Sequence, residues 1–182
     1  YECSNLATVA IPNGATSIGD SAFYGCSNLA DITIPEDIIS IGSRAFYGCS
    51  NLTNITLPDG ITSIGNRAFY DCSNLTNITL PDGITSIGNS AFSGCSGLSG
   101  SLVLPSGITS IGSGAFLDCS GLNGSLVLPS GITKIGEWTF YNCSGLSGSL
   151  VLPSGITNIG AYAFSGCSGL SGSLVLPSGI AS

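Results

Sequence analysis

Histidine and methionine are absent from this 182-residue chain, and cations nearly so: Arg44, Arg67 and Lys134 are the only three. Against 10 acidic residues they leave a net charge of −7. So few cations argue against nucleic acid or an anionic membrane surface as a partner, since both need clustered Lys and Arg. Without histidine, Ser–His and Cys–His activation of a nucleophile is closed. A closed zinc site likewise loses its usual ligand spacing. There is no G-x-x-x-x-G-K-[ST] phosphate loop, and the carboxylates fall mostly in turns, where no pocket perturbs them. The expectation is therefore a protein that is no enzyme and carries no cofactor. Long apolar runs are missing as well. Although 43% of residues are apolar, Gly, Ser, Asn or Pro breaks every run well before the ~18 residues a spanning helix needs, so no membrane insertion is expected. No secretory leader is visible, and the chain opens and closes within a repeat, as expected of a mature or truncated segment.

What is there is one unit written many times. Residues 72–94 form a 23-residue unit beginning at Cys72. Cysteine recurs at 3, 26, 49, 72, 95, 119, 143 and 167, a spacing of 23 and then, after residue 95, of 24. Proline keeps the same beat from Pro12 to Pro177, and phenylalanine from Phe23 to Phe164. A fixed period of this length marks a solenoid, in which each repeat is one coil and contacts only its neighbours. Residues 1–182 therefore read as one elongated domain of about eight coils.

Within a coil, residues 6–11 show the strand: an apolar residue, two spacers, then apolar, spacer, apolar, with the last inward positions alternating. Pro12 stops it and Asn13-Gly14 turns the chain. Ala15 stands where every later coil has Ile, so the first coil is underfilled. Gly19, Gly42, Gly65, Gly88, Gly112, Gly136 and Gly160 occupy one column, which indicates either a left-handed corner or a backbone too crowded for a side chain. The following segment, such as residues 20–26, is too short for an independent helix. It reads as one helical or 3₁₀ turn laying Ala, Phe and Cys into the core. After Cys95 one residue is inserted between Leu98 and the strand, in a Ser-Gly-Ser context that can bulge. The Cys column, with no C-x-x-C pair, reads as a ladder of buried free thiols acting as small hydrophobes, because parallel side chains have poor disulfide geometry.

The pattern L-x-x-I-x-L-P-x-x-I-x-x-I-G-x-x-A-F-x-x-C is carried by Leu75, Ile78, Leu80, Pro81, Ile84, Ile87, Gly88, Ala91, Phe92 and Cys95. It resembles the BspA-like, or Treponema-pallidum-type, class of leucine-rich repeats along the whole chain. The resemblance implies a right-handed leucine-rich-repeat solenoid, mainly β or α/β, with a parallel strand face. It also implies a cell-surface or secreted location and a non-enzymatic role in adhesion or protein binding. The family has no fixed catalytic or ligand residues to carry over.

The strand alternation places two columns outward. One contains Asn54, Asn77, Ser101, Ser125 and Ser149; the other contains Thr56, Thr79, Val103, Val127, Val151 and Val175. Consecutive exposed valines form an apolar stripe, readable as a strip that binds protein or glycan or other copies of the chain, or simply as β-branched residues suited to strands. Glu36, Asp59 and Asp82 could converge on calcium, but Asp in Pro-Asp-Gly is a turn residue first. The Ser and Thr columns also raise an ice-binding face, against which the admixture of Asn, Asp and Val counts. Trp138 and Tyr162 stand one coil apart at the corner position held earlier by Arg44 and Arg67. Neither end shows a polar cap, and Leu174, Leu176 and Ile180 meet no further coil. The expectation is a repeat that continues in a longer chain, or ends covered by another copy in an end-to-end filament. Joining Ser182 to Tyr1 leaves eight steps from Pro177 to the next Cys where a coil has fourteen, which favours excision from a longer protein.

Overall fold

A computed structural model describes residues 3–180. Two ladders of short parallel strands alternate along the chain. The first consists of β1 (Thr8–Ala10), β3 (Asp31–Thr33), β5 (Asn54–Thr56), β7 (Asn77–Thr79), β9 (Gly100–Val103), β11 (Leu122–Val127), β13 (Gly148–Ser149) and β15 (Leu170–Ser171). The second consists of two-residue strands: β2 (Ser17–Ile18), β4 (Ser40–Ile41), β6 (Ser63–Ile64), β8 (Ser86–Ile87), β10 (Ser110–Ile111), β12 (Lys134–Ile135) and β14 (Asn158–Ile159). Register follows the repeat, with Asn54 opposite Asn77 and Thr56 opposite Thr79. This is a parallel-strand leucine-rich-repeat solenoid.

The inserted residue interrupts the first ladder sooner and more often than the second. The first ladder runs β1-β3-β5-β7, restarts as β9-β11, and restarts again as β13-β15. The second passes the residue-95 junction unbroken from β2 to β10 and restarts once, as β12-β14. Gly100, Gly148 and Gly172 take up the extra residue with φ of 80°, 79° and 86°, a conformation open to glycine at no steric cost. Between β9 and β11 the pairing shifts register from Leu122 to Leu126, as expected of a bulge.

The third side of each coil holds no helix. The helical or 3₁₀ turn expected there is replaced by a run of turns whose N–H groups alternate between two partners. Ala22, Tyr24 and Cys26 donate back to Gly19, Ser21 and Phe23. Ser21, Phe23 and Gly25 donate instead to Ser43, Ala45 and Tyr47 of the next coil, at 2.7–2.8 Å. A helix past its first turn would bond each N–H within its own segment; here half are spent between coils. The alternation needs a left-handed residue twice per coil. At the first such position stand Arg44, Arg67, Ser90, Trp138 and Tyr162, with φ between 52° and 56°.

The glycine column is explained by crowding and not by conformation. A Cβ on Gly65 would lie 2.5 Å from the carbonyl carbon of Gly42, and one on Gly88 would lie 2.6 Å from the N of Asn66. Neither glycine is left-handed.

Inside, each column of the repeat is a stack. Phe46, Phe69, Phe92, Phe116 and Phe140 are fully buried. Their ring centroids follow one another at 5.2–5.7 Å with nearly parallel planes. Phe23 and Phe164, in the end coils, are half-buried. Leucine and isoleucine from both ladders close the same core. Fully burying each such side chain contributes about 1.5–3 kcal/mol.

Candidate functional site

The candidate residues are all exposed: Asn54, Thr56, Asn77, Thr79, Ser101, Val103, Ser125, Val127 and Ser149 on the strands, and Val151 and Val175 beyond the short strands β13 and β15. Their inward neighbours are buried at Ile55, Leu102 and Leu126 and half-buried at Ile78 and Leu150. The alternation of a half-solvated strand is therefore kept as far as Val151, and is lost at Val175, whose neighbours Leu174 and Leu176 are themselves exposed. Across the junction at residue 95 this face changes chemistry. Before it, polar side chains bond along the column: Thr76 Oγ1 lies 3.3 Å from Asn54 Oδ1, and Asn74 Nδ2 donates to Asn51 Oδ1 at 3.4 Å. After it, the serines continue a polar column, with Ser125 N donating to Ser101 Oγ at 3.2 Å, while the other column becomes valine.

Those valines are 62%, 49%, 71% and 77% exposed at Val103, Val127, Val151 and Val175. Depressions open between coils beside them. One of ≈ 360 Å³ is lined by Val127, Val151, Leu126, Leu128 and Pro153. Another of ≈ 310 Å³ is lined by Val151, Val175, Leu150, Leu152 and Pro177. No charged residue lines either depression. The corresponding depression of ≈ 240 Å³ on the threonine half includes Asp31 and Glu36.

The remaining sequence candidates are not brought together with this face. Glu36, Asp59 and Asp82 sit exposed in turns, and among the described residues no group of three His, Cys, Asp or Glu is placed to hold a metal ion. Asp71 lies farther round the coil at a left-handed position, φ 56°. Burial, and then the Asp118 carboxylate, push its carboxyl above the usual range. Trp138 and Tyr162 are stacked at 6.4 Å on the corner.

The cysteines are free thiols, buried from Cys26 to Cys167, while Cys3 is exposed. Treating them as small hydrophobes missed their second role. Each Sγ–H from Cys49 onward donates to the main-chain carbonyl of Phe in the preceding coil, at 3.0–3.2 Å. Burial pushes these thiols up, Cys143 to about 12. They are held neutral, and the nucleophilic thiolate is suppressed. The offset of 26 or 27 residues from each Phe to the Cys of the following coil was available in the sequence, but the donor's direction was not.

Coil length, columns and strand pairing converge on the BspA type leucine rich repeat region, whose family model matches in 6 copies over residues 1–123 and 96–182. The chain belongs to this family. It is similar to the leucine-rich repeat protein of T. pallidum, at 36% identity and a TM-score of 0.83, over 91% of this chain and 78% of that one. It is also similar to a leucine-rich cell surface protein of Faecalibacterium prausnitzii, with 34% identity, a TM-score of 0.80, and coverage of 91% and 46%. A leucine-rich repeat protein of Eubacterium ventriosum is 31% identical, with a TM-score of 0.75 and coverage of 88% and 42%. The chain thus spans less than half the length of the last two. No curated protein matches it. No enzyme family appears in these matches, and no helix among the described residues is long and apolar enough to cross a membrane.

Proposed function

We propose that this BspA-type chain is a non-enzymatic binding module, displayed on or outside the cell, that holds a protein or glycan on its strand face and serves adhesion. The valine column carries the reading. Side chains exposed at 49–77%, contiguous over successive coils and free of charge in their depressions, form the kind of patch that soluble monomers seldom leave open without use. The polar serine column beside it supplies hydrogen bonds, so apolar anchoring and polar orientation lie on one surface. The description of the F. prausnitzii relative as a cell surface protein supports the location.

The test compares the native chain with the quadruple variant Val103→Ser, Val127→Ser, Val151→Ser, Val175→Ser on immobilised extracellular-matrix proteins and on a glycan array. Binding that the variant loses, at unchanged melting temperature, supports the reading. Equal binding by both chains removes the valine face from it. Light scattering at micromolar concentration separates the alternative, in which copies stack end to end: a monomer supports the binding module, and growing filaments support assembly.

A further inference from the structure

A second surface lies off the strand face, along the corner that follows the glycine column. Arg44, Arg67, Ser90, Gly114, Trp138 and Tyr162 occupy it in successive coils. Two of the chain's three cations therefore stand one coil apart, at a spacing of roughly 4.8 Å along the stack. Like charges so placed repel one another, and an anion between them reverses the sign of that interaction.

The groove beside the two arginines is ≈ 390 Å³ and is lined by Ser43, Arg44, Asn66, Arg67 and Asn89, with no apolar residue. The amide oxygens in it are already engaged. Asn66 Oδ1 accepts from Asn89 N at 2.7 Å, and Asn89 Oδ1 accepts from Ser113 N at 2.9 Å. The Asn66 and Asn89 amide N–H groups and the Ser43 hydroxyl can donate into it, and the guanidinium groups offer only N–H. The Asp20 carboxylate, one coil before Ser43, accepts from the Ser43 N–H at 2.7 Å. On the other side of the arginines, Tyr24 and Tyr47 line a second depression of ≈ 450 Å³. A surface of donors with two fixed positive charges selects an oxyanion.

Farther along the same corner, Trp138 and Tyr162 are 42% and 62% exposed. The coil before Trp138 has Gly114 at this position, so the column supplies no side chain to cover that ring. Arg67 and Trp138 are three coils apart, about 14 Å along the stack, within reach of one short oligosaccharide. An acidic peptide fits less well. The groove has no apolar pocket for side chains, and the Arg44 and Arg67 N–H groups are bonded to Asn66 and Asn89 carbonyls, so no free edge receives another strand.

We propose that this corner binds an acidic glycan, its carboxylate or sulfate held between the Arg44 and Arg67 guanidiniums and a sugar ring lying against Trp138. The site is separate from the valine face, and either can fail without the other.

Calorimetry on the full chain with dextran, carboxymethyl dextran, dextran sulfate and poly-glutamate tests it. At least one acidic dextran is expected to bind, more than about tenfold tighter than neutral dextran. The double variant Arg44→Ser, Arg67→Ser places at both positions the residue this column carries at Ser21 and Ser90, so the coil is retained. It should weaken acidic dextran more than about tenfold. Trp138→Ser should weaken it severalfold at unchanged melting temperature. Failure of both acidic dextrans to bind, or undiminished binding by the double variant, overturns the proposal. So does poly-glutamate bound as tightly as acidic dextran and indifferent to Trp138→Ser, the outcome expected of an acidic-peptide site.

Discussion

The thiol of Cys95 donates to the main-chain carbonyl of Phe69 at 3.0 Å, and the same oxygen also accepts from the N–H of Cys72 at 3.2 Å. One buried carbonyl is thus satisfied by two cysteines from two coils, and the thiol ties each coil to the one before it. Cys95→Ala removes both the bond and the sulfur's volume. A loss of about 1–3 kcal/mol is expected, read as a lower midpoint in urea unfolding. A variant as stable as the native chain would show that the thiol serves only to fill space.

The same thiols set a pH dependence. Cys143 rises from the ordinary value of 9.0 to about 12, chiefly through burial and then through the neighbouring Cys167. The fold therefore keeps protons that the unfolded chain releases above pH 9. Stability from this source is complete below that pH and falls as pH rises from 9 toward 12. Thermal melts should hold level below pH 9 and drop steeply above it. At neutral pH a water-soluble disulfide reagent should label exposed Cys3 quickly and the buried thiols only on unfolding. Fast labelling of several cysteines in the native protein would contradict the buried ladder.

Phe92 lies at the middle of the aromatic stack, 5.3 Å from both Phe69 and Phe116. Phe92→Ala should cost about 3–5 kcal/mol by leaving a cavity that two rings cannot close. Thr79→Ala, on the exposed face, should cost under about 0.5 kcal/mol. Similar melting temperatures for the two variants would show the coil register to be wrong.

Glycines of one column should respond in opposite ways. Gly88→Ala drives a methyl group to 2.6 Å from the N of Asn66, forcing two coils apart at a cost of about 1–3 kcal/mol or more. Gly19, in the first coil, has nothing within 4 Å of the same position. Gly19→Ala should be neutral or stabilising by up to about 1 kcal/mol, since it restricts the unfolded chain. Equal destabilisation by both would mean that the column is kept for backbone conformation after all.

Sequence alone determined which residues share a column, because a solenoid's core is periodic in the chain itself. The spacing of Phe92 and Cys95, the inward Leu102 and Leu126, the outward Thr79 and Val127, and the insertion after Leu98 all follow from counting. Tertiary structure decided how one coil treats the next. It chose crowding over a left-handed turn for Gly65, because the carbonyl carbon that a Cβ would strike belongs to Gly42, 23 residues away. It replaced the helical turn before Cys26 with a ladder, because the N–H groups of Ser21, Phe23 and Gly25 find carbonyls in the following coil. It gave Cys95 a carbonyl to donate to, and it brought Arg44 beside Arg67 above a groove whose amide oxygens were already taken. Each of these is a contact between residues about one period apart. Periodicity says that such residues are neighbours, but only the folded stack fixes the direction of a donor, the room for a methyl group, or the side chain left over to meet a ligand.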